Sequence, residues 1–187
     1  GDPARGRGPV TDPPRARAPS DGPASRRPAV RAAPDRARRP PGAGTRPLIL
    51  GVGHRWRRDD GVGPAVADAL AASGRPARAH ESDGAALLAL LEGLPGAVLI
   101  DAMQAGGPPG EVRRFDASAA PLPARFRRSS HLFGLAEAVE TGRALGALPA
   151  RLEVIGIEGA DFGLGEGLSP AVAAAAARLV ADLLAAD

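Results

Sequence analysis

The sequence predicts an α/β fold, a three-layer α/β/α sandwich around a mostly parallel, twisted sheet of about five strands. Three observations carry that expectation. From Pro47 onward, short apolar runs alternate with stretches of helical periodicity, as they do where helices join parallel strands. Two of the runs are almost continuously apolar, as strands covered on both faces are. The stretch after Ser169 carries both a helix start signal and a single apolar stripe.

The elements follow in chain order. Residues 1–46 hold ten prolines and almost no large apolar side chains, too little to offset the entropy of ordering, so an Arg/Pro-rich disordered tail is expected there. Leu48 to Val52 reads as the first strand, and Val62, Val66, Ala69 and Leu70 recur at helical spacing after it. Ala77 to Ser82 alternates and reads as an edge strand, Ala97 to Ile100 as a central one, and Glu111 to Asp116 as a second edge. Leu132, Leu135, Ala136 and Val139 share a helix face, and Leu152 to Ile157 is a further strand. The last helix takes Ser169 as N-cap, Pro170 at its first position, and Val172, Ala176, Leu179, Val180 and Leu183 as its stripe. Residues 47–187 are thus expected to form one domain, of a size that buries a core without staples.

Composition narrows the function classes. With no cysteine, disulfides, a thiolate nucleophile and Cys-rich metal sites are excluded, and a reducing, cytoplasmic location is expected. The high pI invites a nucleic-acid reading, but residues 1–46 carry 11 Arg against 4 Asp, a net of +7, while residues 47–187 carry 13 Arg against 17 acids, a net of −4. The positive charge belongs to the tail, and all of it is Arg with no Lys. With the abundant Ala, Gly and Pro, that reads as a coding bias more than as selection for phosphate contacts, so no nucleic-acid partner is expected. Neither Arg26-Arg27 nor Arg38-Arg39 is followed by an apolar core and cleavage site, so no export signal is expected. No stretch reaches the length of a membrane span, and a monomer with no membrane partner is the expectation.

Chemistry-bearing residues gather where open α/β sheets place their ligands, at the carboxyl ends of strands and the starts of helices. Asp59 and Asp60 end the loop after the first strand, Asp101 follows Val98-Leu99-Ile100, and His131 precedes the helix beginning at Leu132. Two carboxylates and an imidazole suit a borderline divalent metal and leave positions open for substrate or water, and Asp60, Asp101 and His131 form such a set. Each has an ordinary alternative, because aspartate at a helix start is commonly a cap, aspartate ending a strand is commonly a loop anchor, and His131 after two serines reads equally as a capping residue. Other motifs fail. Gly51-Val52-Gly53 begins like a dinucleotide fingerprint, but the third glycine position holds Trp56. There is no G-x-S-x-G elbow, no Walker A loop and no H-E-x-x-H helix, so no standard nucleophile is offered and no organic cofactor is expected. One tryptophan, four phenylalanines and no tyrosine make a stacking platform for bases or sugars improbable.

Four segments together resemble the hydrogenase maturation endopeptidases. They are LILGVGHRWRRDDGVGPAV at Leu48 to Val66, Asp83-Gly84 followed by VLIDAMQAGGPPGEVRRFD at Val98 to Asp116, SSHLFGLAEAV at Ser129 to Val139, and GIEGADFGLGEGLSPAV at Gly156 to Val172. The likeness spans nearly all of residues 47–187. It implies removal of a C-terminal extension from the large-subunit precursor of a nickel–iron hydrogenase after nickel insertion. It also implies that Asp60, Asp101 and His131 occupy nickel-contacting and catalytic positions, with the nickel carried by the substrate.

Two departures qualify the resemblance. His54 stands where the family has Asn after G-x-G, which either reshapes the turn or adds a metal ligand. Arg58 replaces a small residue before the acidic pair, so that Arg55, Arg57 and Arg58 either steer an acidic substrate tail or face solvent. Asp59 and Asp83 are further candidate site residues. Two other functions stay open: a non-cleaving chaperone or metal-delivery module on the same fold, and a small-molecule hydrolase.

Overall fold

The computed structural model describes residues 46–81, 83–123 and 134–186. The tail assigned to residues 1–46 therefore lies, apart from Arg46, outside the described residues, as do Ser82 and His131. Among the described residues, five strands and four helices follow in the order β1 (Leu48–Val52), α1 (Val62–Ala72), β2 (Ala77–His80), α2 (Gly84–Leu91), β3 (Gly96–Met103), β4 (Val112–Asp116), α3 (Leu135–Ala144), β5 (Arg151–Glu158) and α4 (Pro170–Ala185). A short 3-10 turn, Arg58–Gly61, leads into α1.

The strands form one sheet in the order β2-β1-β3-β5-β4. The β1–β2, β1–β3 and β3–β5 pairs are parallel, and β4 alone runs antiparallel to β5. The two alternating runs are the edges, and β3 is buried along its whole length, as a central parallel strand must be. Successive strand residues point to opposite faces, and the core divides accordingly. Leu50, Leu99 and Val154 join residues of α2 and α3 in one cluster, while Ile49, Ile100 and Ile155 join α1 and α4 in the other. Helices therefore cover both faces.

Several expectations change in detail. Helix α2 has no counterpart in the sequence reading, because GAALLALL is apolar all round and shows no stripe. On α1 the buried stripe is Val62, Val66, Ala67 and Leu70, and Ala69 turns outward. Helix α3 begins at Leu135 after Gly134, with Leu132 outside the described residues. Asp101 does not follow β3 but lies inside it, opposite Gly156 of β5, because the strand runs on to Met103. Ser169 is the N-cap of α4 by position, yet its hydroxyl makes no capping bond.

The connection from β1 through α1 to β2 builds one edge of the sheet. The next, from β2 through α2 to β3, crosses to the other side of β1 on the opposite face. The carboxyl ends of β1 and β3 thus flank the point where strand order reverses, which opens a crevice between the diverging connections. Glycines bring α1 down onto that point. A methyl group on Gly51 would run into the carbonyl of Gly63, and one on Gly63 would meet the carbonyls of Val52 and Ile100. The GVG repeats are thus contact surfaces for strand against helix.

Candidate active site

The loop after β1 is shaped by hydrogen bonds to its own side chains. Gly53 takes a positive φ of 134° under the carbonyl of Asp60, where any side chain would collide. His54 then accepts the Trp56 amide on Nδ1 at 3.3 Å, an i to i+2 bond of the kind an Asn makes in such a turn. The departure at His54 preserves the turn. Arg58 is in the left-handed region with φ 49°, a conformation uncommon for a residue with a Cβ.

Asp59 and Asp60, adjacent in sequence, face different ways. The Asp59 carboxylate is fully buried and accepts the amides of Ala160 at 2.8 Å, Asp161 at 2.9 Å and Ser169 at 2.6 Å, and the Ser169 hydroxyl at 2.9 Å. Ser169 spends its hydroxyl there rather than on its own helix. Burial alone would push the Asp59 carboxyl up, but the bonds from Ser169, Asp161 and Ala160 outweigh it and hold the group below the usual carboxylate range. Asp60 is also buried; its Oδ2 accepts the His54 amide at 3.0 Å and lies 3.9 Å from Arg57 Nε.

Asp101 reaches the same crevice from β3. It is 5% exposed and accepts the adjacent amide of Ala102 at 2.8 Å. Burial pushes its carboxyl well above the ordinary range, and the charge of Asp60 pushes it further. The two carboxyls singled out by placement are therefore near enough to feel one another. Asp101 lines a narrow depression with Val52, Gly53, His80, Gly134 and Leu135. Asp83 borders it too, but its carboxylate caps α2, accepting the amides of Ala85 and Ala86 at 3.0 Å each. His131 lies outside the described residues, three positions before Gly134.

Two groups were not evident from sequence. His80, at the end of β2, is buried in the wall of the depression, its Nε2 3.2 Å from the Asp83 carbonyl oxygen. Glu158, at the end of β5, accepts the amides of Ala105, Gly106 and Gly107 at 2.9, 2.7 and 3.2 Å and so fastens the loop after β3. Only its position at the end of a strand, shared with the other acids, hinted at a role. The arginines of the β1 loop have partners within the domain. Arg55 pairs with Asp68 and Glu81, Arg58 with Asp161, and Arg57 bonds the Phe162 carbonyl and faces Asp60.

An α/β sheet with two buried carboxyls at its switch point, beside a depression walled by an imidazole, is the kind of constellation a hydrolase site uses. The comparisons narrow that class. The family model HycI, described as hydrogenase maturation protease, matches residues 82–186, more than half of the chain and inclusive of Asp101 and His131. The chain belongs to the hydrogenase maturation protease family, whose members are endopeptidases.

Solved structures agree with the fold. The hydrogenase maturating endopeptidase HybD from E. coli is 24% identical with a TM-score of 0.61, over 76% of this chain and 91% of that one. The [NiFe] hydrogenase maturation protease HycI from Thermococcus kodakarensis KOD1 is 26% identical with a TM-score of 0.56, over 76% and 92%. The hydrogenase 2 maturation peptidase from a Thaumarchaeota archaeon is 27% identical with a TM-score of 0.53, over 76% and 97%. No curated protein sequence matches the chain. Among the described residues no helix is long and apolar enough to cross a membrane.

Proposed function

We propose that this endopeptidase removes the C-terminal extension of a nickel-loaded [NiFe]-hydrogenase large-subunit precursor and recognises the substrate through its nickel. The observation that carries the reading is the pair Asp60 and Asp101. Both are buried at the switch point, and the Asp101 carboxyl is held up by burial and by its neighbour's charge. A divalent cation presented between them reverses that penalty, because each carboxylate then gains a positive partner.

In this reading Asp60 and Asp101 contact the nickel, and His131 adds an imidazole, as the resemblance implies. Docking the metal fixes the adjacent C-terminal peptide over the crevice, so that binding at the cation positions the bond to be cut. A precursor without nickel leaves the two carboxyls repelling one another and is not held. The cytoplasm, where such a precursor is assembled, is the proposed compartment. His54 keeps an Asn-like turn and the loop arginines are engaged within the domain, so neither departure favours the non-cleaving alternative.

The test compares nickel-loaded with nickel-free precursor, each incubated with the protein, following loss of the C-terminal peptide by mass spectrometry. Cleavage of the loaded form alone is the expected result. Equal cleavage of both forms would remove nickel as the recognition element, and no cleavage of any loaded precursor would remove the proteolytic role.

A further inference from the structure

Resting on the proteolytic reading, a second question concerns the proton. Hydrolysis of a peptide bond needs a group that takes a proton from the attacking water and returns it to the departing amine. The chain has no cysteine, and Asp60 and Asp101 are committed to the cation. His80 answers the remaining need by position. It pairs with Val52 across the β1–β2 ladder, and Val52, His80 and Asp101 all line the depression. The imidazole and the Asp101 carboxyl therefore face the same depression, which has room for about one water molecule.

The orientation of the ring follows from its partner. A carbonyl oxygen only accepts, so the nitrogen 3.2 Å from the Asp83 oxygen, Nε2, carries the hydrogen. In the neutral ring Nδ1 then carries the lone pair, and among the described residues no hydrogen bond reaches it. The orienting carbonyl is itself fixed, because it accepts the Leu87 amide at 3.1 Å while the Asp83 side chain caps α2. At the other end, the His80 carbonyl accepts the Gly53 amide at 3.3 Å and ties the residue to the turn that presents Asp60. A basic nitrogen aimed by a rigid neighbour is the arrangement a general base requires. Among the described residues, the charged groups around it are Asp101 across the depression, Asp83 with its carboxylate turned to α2, and Glu81 engaged by Arg55.

We propose that His80 is the general base of the cleavage. Water oxygen bonds to the scissile carbonyl carbon as its proton passes to Nδ1. Collapse of the tetrahedral adduct breaks the carbon–nitrogen bond, and the proton on Nδ1 goes to the leaving nitrogen. One water is consumed, a carboxyl and an amine are formed, and His80 returns to its starting state.

The test uses the full chain and nickel-loaded precursor with His80→Gln, which keeps an amide donor for the Asp83 carbonyl but has no basic nitrogen, and with His80→Ala. The expected result is a fall in kcat of about 100-fold or more in both, with KM and precursor binding little changed. Imidazole in the buffer should restore part of the rate to His80→Ala alone. Retention of kcat within about threefold of wild type in His80→Gln, or a loss confined to KM, overturns the proposal. So does a loss of rate that tracks a lowered thermal melt in both variants without imidazole rescue. If the unaltered protein cuts no loaded precursor, both this proposal and the proteolytic reading fall; if it cuts and His80→Gln cuts equally well, only this one does.

Discussion

Asp59 and Asp101 are both buried carboxyls at the carboxyl edge of the same sheet, and the fold treats them oppositely. Asp59 collects four hydrogen bonds from the loop after β5 and the start of α4, and its carboxyl is held low. Asp101 has the adjacent Ala102 amide, a nearby negative charge and little solvent, and its carboxyl is held high. The first arrangement stabilises the native chain as it stands, whereas the second makes it less stable until something positive arrives. A carboxyl held high by burial and a neighbouring charge is a candidate for chemistry, whereas one held low by four hydrogen bonds is accounted for by the framework.

The largest effect that would sharpen the contrast is on cleavage. Asp101→Asn should reduce cleavage of loaded precursor by about 100-fold or more, since the bound metal and its peptide lose their positioning. The same variant should keep or raise the thermal melt at neutral pH. The sign follows from linkage: a raised folded-state value means that stability is full at pH below the unfolded carboxylate range and is lost as pH rises through the folded value. Removing the group removes that loss. A drop in the melt for Asp101→Asn would instead make Asp101 framework.

Asp59→Asn should behave in the reverse sense. Its amide nitrogen meets donors where an oxygen accepted them, costing about 3 kcal/mol in chemical denaturation, with cleavage lost only as the fold is lost. The depressed carboxyl contributes stability above the unfolded carboxylate range that disappears as pH falls through the folded value, so melts of the parent should decline on acidification and those of Asp59→Asn decline less. A smaller effect is expected of Gly63→Ala, whose methyl meets the Val52 and Ile100 carbonyls, at about 2 kcal/mol of stability. The smallest belongs to His54→Asn, which should leave cleavage within about twofold because Asn accepts the same turn amide. A loss of tenfold or more there would mean that His54 contacts the metal after all.

Much of this was readable in the residues. Continuous apolar runs located β1 and β3, alternation located the two edges, and Ser169-Pro170 located α4. Helix α2 was hidden because its leucines mark no single face, and the reversed direction of β4 leaves no trace in an alternating pattern. Within the site, placement picked out Asp60 and Asp101. It could not separate Asp59 from Asp60, since neighbouring acids differ only in what lies across from them after folding. His80 was invisible for a related reason: in Ala77 to His80 it reads as one more position of an edge strand, and only the crossing of the chain over β1 sets it beside Asp101.

The bond from Asp59 to Ser169 joins residues 110 positions apart. During synthesis the loop that bears Asp60 emerges long before the segment that anchors it. A ribosome-bound chain ending before α4 would carry the acidic loop without its clamp. The final placement of that loop therefore waits on the chain as far as Ser169, whose amide and hydroxyl complete the shell around Asp59.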